Sequence, residues 1–360
     1  MAALTPQPGI MEIALYEGGR SAIAGRTDVL KLSSNENPLG PPASALGAIS
    51  DVAGTAHLYP PTDHARLRAA IGEVHGLDPE RIICGVGSDE VLQFVTQAFA
   101  GPEDEIIHTE HGFSLYPVLI NMAGAQAVCV PEKERVVDLD AILAAITDKT
   151  RIILVTNPGN PTGTKVSDAA LAAFVAAVPA HIVVVLDGAY TEYVEGSVGG
   201  ADLVHDRSNV LMTRTFSKIY GLGGLRIGWG YADKWMIDVM TRIRQPFNLS
   251  GIQLAASEAA VRDQDWVRAC AKLNAEQRAR LIGALRQLGI ACDDSETNFV
   301  LARFASESEA DAVYAALLDG GIIVRQVKGY GFPEGLRMTV GDADQTSRLI
   351  AALTRHVEAS

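Results

Sequence analysis

Lys218 closes the run Thr213-Arg214-Thr215-Phe216-Ser217-Lys218, and Gly221-Leu222-Gly223-Gly224-Leu225-Arg226 follows almost at once. A lone lysine is ordinarily a solvated surface charge. This one stands beside hydroxyls at the end of an apolar run. An arginine lies eight residues on, across glycines that suit a close approach to the backbone. The hydroxyls of Thr215 and Ser217 and the guanidinium of Arg226 could bind a phosphate while the Lys218 amine forms a Schiff base.

Asp187-Gly188-Ala189-Tyr190 follows Ile182–Leu186, one of the most apolar runs in the chain. A carboxylate there is costly without a partner. It is either a helix N-cap just past a strand or an anion held against a protonated pyridine nitrogen. In the second case the ring becomes an electron sink and Tyr190 reaches its phenolic oxygen. Asn157-Pro158-Gly159-Asn160-Pro161-Thr162-Gly163-Thr164 also follows an apolar run. Read alone it is a turn; at a strand's carboxyl end, Asn160 could offer its amide to a ligand oxygen. Gly85-Val86-Gly87-Ser88-Asp89-Glu90 opens a helix running to about Phe99. Its free N–H groups, its positive dipole end and the Ser88 hydroxyl suit a phosphate.

Competing motifs fail. Neither glycine-rich segment completes GxGxxG, because the third position is Glu90 in one and Arg226 in the other. GxxxxGK[ST], HExxH and GxSxG are absent, which removes the usual signatures of phosphate-loop hydrolysis, zinc proteolysis and the hydrolase elbow. His108 and His111 read as loop histidines, so no metal site is expected.

The elements that must carry these residues are those of an α/β protein. Short apolar runs, Glu105–Thr109, Ala125–Val130, Arg151–Thr156, Ile182–Asp187, Val210–Arg214 and Leu225–Gly230, alternate with helical patterns. They are mostly continuous rather than alternating, as in a parallel sheet covered on both faces. Asp138 and Ser167 stand where helix N-caps belong. Beyond Asn248 the texture changes to a long helix over about 265–288, a strand over 297–303 and a helix over 307–318. The division expected is an arm over 1–40, a large domain over 41–248 and a smaller α+β domain over 249–360.

Composition narrows the partners. The chain has 360 residues, 48% hydrophobic and 20% charged, enough for a sizeable core. With 30 Lys and Arg against 43 Asp and Glu the net charge is −13, which disfavours nucleic acid. Cys84, Cys129, Cys270 and Cys292 are scattered, as suits a reducing, cytoplasmic compartment. The start, Met1-Ala2-Ala3-Leu4-Thr5-Pro6, shows no export signal. The most apolar stretch, Leu171 to Leu186, is interrupted by Pro179 and His181 and is too short for a membrane span.

Taken together these residues resemble the pyridoxal-phosphate aminotransferases of the aspartate aminotransferase fold, fold type I. Within them they look like the histidinol-phosphate aminotransferase family. The most specific matches are Ser33-Ser34-Asn35-Glu36-Asn37-Pro38-Leu39-Gly40, the Asn160 turn, the Asp187/Tyr190 pair, Thr215-Phe216-Ser217-Lys218 with Arg226, and Gly335-Leu336-Arg337-Met338-Thr339-Val340-Gly341. One departure is Gly188, where many relatives carry an acidic residue.

The resemblance implies that Lys218 forms an aldimine with the cofactor and then moves the proton at the substrate α-carbon. Ser88, Asp89, Ser217 and Arg226 would hold the cofactor phosphate, and Phe113 would stack on its ring. Tyr59 would reach across a homodimer interface. Arg337 would take the substrate carboxylate through a bidentate fork, and Tyr16 and Asn35, from the arm, would contact substrate. The implied reaction is ping-pong transfer between histidinol phosphate with 2-oxoglutarate and imidazole acetol-phosphate with glutamate, in histidine biosynthesis. The alternatives are an aromatic amino-acid aminotransferase and a threonine-phosphate decarboxylase-like lyase.

Overall fold

All six apolar runs fall in one seven-stranded sheet of the computed structural model, which describes residues 4–6, 9–15 and 20–359. After a short strand β1 (Leu30–Lys31) in the arm come β2 (Ile82–Gly85), β3 (Glu105–Thr109), β4 (Gln126–Val130) and β5 (Thr150–Thr156). They are followed by β6 (Val183–Asp187), β7 (Val210–Thr215) and β8 (Gly228–Ala232). The order is β2-β8-β7-β6-β5-β3-β4. β8 runs antiparallel to both its neighbours and every other pairing is parallel. Alternate residues of the central strands feed two separate cores. Ile153, Val155, Val184 and Leu186 pack on one face, and Ile152, Leu154, Val183 and Val185 on the other. Burial on both sides is why these strands read as unbroken apolar runs.

Three sequence expectations need correction. The last strand starts three residues later than expected, because Gly223–Leu225 forms a 3-10 turn and Arg226 takes a left-handed φ of 55°. β2 was not anticipated: it is four residues long and runs straight into the glycines that open the helix Gly87–Phe99. His108 is a buried residue of β3, with Nδ1 2.9 Å from the Thr109 carbonyl, while His111 lies in the turn beyond. Asp138 and Ser167 do cap their helices, accepting from the backbone N–H of Ala141 and Ala170.

The tail builds a second, antiparallel sheet in the order β12-β13-β10-β9. Its strands are β9 (Ala291–Cys292), β10 (Phe299–Arg303), β12 (Arg325–Val327) and β13 (Phe332–Thr339); β11 (Ile322–Ile323) instead pairs with β1. Leu30 and Leu32 of the arm are buried in the tail core beside Val300 and Met338. The arm is thus anchored to the tail by ladder bonds and apolar burial together. The helix Gly251–Arg262, begun by a Ser250/Gln253 capping box, lies against the helices Ala43–Val52 and Ala65–His75.

Candidate active site

β5, β6 and β7 end on a common cavity of about 460 Å³, to which each contributes its last residue: Thr156, Asp187 and Thr215. Open α/β sheets place ligands at such carboxyl ends. The tail closes the cavity with Arg325, Tyr330 and Arg337, and the arm with Ser33 to Asn35. A cleft of about 510 Å³ lies elsewhere, between the helices Leu139–Ala144 and Asp168–Ala177, and none of the expected site residues lines it.

At the inner end Asp187 is only 3% exposed. The Tyr116 hydroxyl donates to its Oδ2 (3.0 Å) and the Thr213 hydroxyl to its Oδ1 (3.2 Å). Burial outweighs these bonds and pushes the carboxyl up to about 6. Tyr190 is buried with its ring edge-to-face on Phe299, and burial pushes its phenol up to about 12. Asn35 donates Nδ2–H to the Tyr190 oxygen at 3.0 Å, so the phenolic O–H is the donor Tyr190 has for a ligand. The other end of the Asn35 amide accepts from Thr339. Asn35 therefore orients Tyr190 as well as lining the cavity. A Cβ on Gly188 would come within 2.5 Å of the Thr191 hydroxyl, so a side chain there would force that residue aside.

Lys218 stands half-buried between the two ends, its Nζ 5.7 Å from the Tyr190 ring centroid and 3.4 Å from the Ser34 carbonyl. Burial, then the positive field of Arg337, lower its amine to about 8. The neutral amine, the form needed for a nucleophile or a proton acceptor, is therefore far more populated near neutral pH than for an ordinary lysine, about a tenth of it at pH 7.

The outer end is built around Arg226. It donates to the Ser217 hydroxyl (2.9 Å), the Gly223 carbonyl (3.2 Å) and Asp89 Oδ2 (2.8 Å). Both partners of the Arg226–Asp89 pair are more than 40% exposed, so it is worth about 0–1 kcal/mol at most; what it does is aim the guanidinium. Ser88 sits in the first turn of the helix Gly87–Phe99, whose N–H groups face the same place. Gly228 is required here, since a Cβ on it would lie 2.1 Å from the Ser88 nitrogen.

Across the cavity Arg337 of β13 is 7% exposed. It donates to Asn160 Oδ1 (2.6 Å) and to the Ser33 carbonyl (3.1 Å). Its buried Nε has no partner among the described residues. Because Asn160 gives its oxygen to Arg337, any donation to a ligand falls to its NH₂. Phe113 lines the cavity, 5.9 Å and edge-on from Tyr116.

The cavity therefore brings together Asn35, Ser88, Asp89, Phe113, Asn160, Asp187, Tyr190, Thr215, Ser217, Lys218, Arg226 and Arg337. The Thr215 hydroxyl is used within the turn, accepting from the Ser217 N–H at 3.0 Å. Tyr59 is not part of this cavity: it is 83% exposed, its ring tilted against that of Phe247 at 4.5 Å between centroids. Tyr16 lies outside the described residues. Sequence reasoning missed Tyr116, Arg325 and Tyr330. Tyr330 is held by Ser114, hydroxyl to hydroxyl at 2.9 Å, and by His111 Nδ1, 2.7 Å from its carbonyl. Tyr116 stands three residues after Phe113, one helical turn on, which was the available signal.

Residues 27–353 match the family model for aminotransferase class I and II, and the chain belongs to that family. Its members use pyridoxal 5′-phosphate. The chain is 60% identical over 359 residues to a histidinol-phosphate aminotransferase of Ruegeria pomeroyi, spanning all of this chain and 99% of that one. The crystal structure of a Sinorhizobium meliloti histidinol-phosphate aminotransferase in complex with pyridoxal-5′-phosphate superposes with a TM-score of 0.87 at 29% identity, covering 93% of this chain and 92% of that one. A Thermus thermophilus aspartate aminotransferase shares the fold, with a TM-score of 0.80 at 24% identity and 92% coverage of each chain.

The residues present fit that cofactor. Asp187 is buried with hydroxyls as its partners, so a protonated pyridine nitrogen would supply the cation its burial calls for. The helix N-terminus, Ser217 and Arg226 form a cradle for a phosphate at the opposite end.

Proposed function

We propose that this chain transfers an amino group between histidinol phosphate with 2-oxoglutarate and imidazole acetol-phosphate with glutamate, in two half-reactions sharing one site. The reading is carried by the convergence of Lys218, Asp187 and Arg226 on one cavity, in a chain 60% identical along its whole length to a histidinol-phosphate aminotransferase. The cofactor, when bound, supplies the electron sink for the pair released as the α-carbon loses its proton. Asp187 keeps the ring nitrogen protonated, while Tyr190 and Asn160 donate to the ring oxygen. Arg226, Ser217, Ser88 and the N–H groups of its helix hold the phosphate. Lys218, the catalytic residue, takes the α-proton and returns it on the other side of the transfer. Arg337 meets the anionic end of each substrate. A guanidinium fork suits both the carboxylate of glutamate and the phosphate of histidinol phosphate, and the buried Nε of Arg337 is a donor for either.

Two further features belong to this reading. Exposed Leu58, Tyr59 and Phe247 form an apolar group that a second copy of the chain would cover, with Tyr59 reaching the neighbour's site. A reducing, cytoplasmic setting is supported by four free cysteines. No helix among the described residues is long and apolar enough to cross a membrane.

The test is an absorbance spectrum of the purified protein with pyridoxal 5′-phosphate, before and after adding histidinol phosphate. A visible band that the substrate bleaches, and that Lys218→Ala abolishes, supports cofactor, lysine and substrate together. A band that responds to phenylalanine or tyrosine alone overturns the substrate and leaves the class. Mixed Tyr59→Phe and Lys218→Ala chains should regain activity as heterodimers if sites are shared, and stay inactive if they are not.

A further inference from the structure

The hairpin turn Lys133–Val136 lies outside the cavity and is closed by two reciprocal backbone bonds of 2.9 Å. Its central residues, Glu134 and Arg135, have φ of 51° and 66°. Tight turns of this kind normally place Gly, Asn or Asp at both positions, because a Cβ strains the left-handed conformation. Two such residues side by side persist only where the surroundings over-determine them.

What surrounds Arg135 is a clamp on the Asn160 turn. Its guanidinium forks onto Asp293 of the tail, Nε to Oδ2 at 2.5 Å and Nη2 to Oδ1 at 2.8 Å. Arg303 adds a third donor to the same carboxylate at 3.3 Å. Burial alone would raise the Asp293 carboxyl, but Arg135 and Arg303 hold it below the usual range. The carbonyl of Arg135 accepts from the Thr164 hydroxyl at 2.6 Å. Thr164 belongs to the turn: its carbonyl accepts from the Gly159 N–H and its hydroxyl touches that of Thr162. The tail grips the same turn three residues beyond Asp293, where the Glu296 N–H donates to the Gly163 carbonyl at 2.8 Å. Gly163 leaves no slack, since a Cβ there would lie 2.5 Å from the Ser295 hydroxyl. Asn160, between Gly159 and Gly163, is the residue this clamp presents to Arg337.

We propose that Arg135 and Asp293 are a positioning pair: their bidentate contact locks the Asn160 turn to the tail domain and so sets how Asn160 meets Arg337 and the cofactor ring. The inference rests on the proposed role of Asn160 in the cavity. Neither residue of the pair touches substrate; both act through the turn. Arg is needed for the fork, which a lysine cannot reproduce.

The test uses the cofactor-loaded enzyme and two readouts, the pH midpoint of its visible band and steady-state KM and kcat with histidinol phosphate. Arg135→Ala and Asp293→Asn should each move the band midpoint in the direction that Asn160→Ala moves it, and lower kcat/KM about tenfold. Arg135→Lys should fall between them and the wild type. Combined with Asn160→Ala, Arg135→Ala should add little, because both remove the same placement. Arg135→Gly separates function from folding: glycine accepts φ of 66° without strain, so this variant should melt no lower than Arg135→Ala while keeping the kinetic defect. Melting temperatures that fall while the band and kinetics stay unchanged would overturn the proposal, as would full additivity with Asn160→Ala. If the wild type prefers another amino donor, the substrate reading fails, while the band midpoints still decide the pair.

Discussion

At the outer end of the cavity Arg226 and Asp89 form an ion pair with more than 40% of each side chain in solvent, whereas at the inner end Asp187 is 3% exposed and bonded to hydroxyls. The outer end relies on groups that come cheaply: helix N–H donors, glycines that let the backbone approach, and one arginine. The inner end spends stability. Its carboxyl is raised to about 6 by burial, a cost that a cation bound beside it would offset. Retention of an anion can be spread over many weak donors in water. Holding charge on a ring nitrogen requires one carboxylate kept away from water, where its field is not screened.

That contrast predicts effects of different kind and size. The largest belongs to the inner end: Asp187→Ala should lower kcat by about a thousandfold while the protein still takes up cofactor, measured by single-turnover kinetics. A variant retaining a tenth of wild-type kcat would mean that the buried carboxylate is not what maintains the ring charge. Next, Arg226→Ala should weaken cofactor affinity by about 10- to 100-fold, read by fluorescence titration. The wild-type affinity should fall with added salt through this exposed arginine, and much of that dependence should vanish in the variant. Salt dependence left intact would place the phosphate elsewhere.

Lys218, lying between the ends, should give a pH effect of roughly tenfold. Its amine, lowered to about 8, is mostly charged at pH 7 and mostly neutral at pH 9. Cofactor capture by the cofactor-free protein should therefore quicken as pH rises and level off above about 8. The sign for stability is the same: the folded state disfavours the charged amine, so its penalty is lifted as pH rises from about 8 toward the ordinary lysine value. A capture rate flat from pH 6.5 to 9 would contradict the lowered amine. The smallest effect is expected for Tyr116→Phe, which removes one donor to Asp187 and should cost about three- to tenfold in kcat. The loss should be greater at acid pH, because without the donor the carboxyl is protonated more easily.

Legibility along the chain followed the distance over which each feature is determined. β3 matches its expected span because an apolar run bounded by turns is a local signal, and the Asp138 and Ser167 caps are set within four residues. The site residues of the strand ends were readable for the same reason: hydroxyls, glycines and a lysine stand next to one another in the chain. β8 slipped because Arg226 adopts a left-handed backbone in the middle of what reads as one run. Tyr116 gave little sign of its role, since it meets Asp187 across 71 residues. The partners Arg337 and Asn160 are 177 residues apart, and Arg135 and Asp293 158 apart.

Composition, periodicity and motif spacing settled the α/β class, the family resemblance and most of the residues that meet in the cavity, because side-chain type and local backbone preference are properties of short segments. Which oxygen meets which donor, which lysine is kept from water and which turn is clamped depend on how the arm, the sheet and the tail come together. Burial and charge proximity exist only after that assembly. They shift Asp187 to about 6 and Lys218 to about 8.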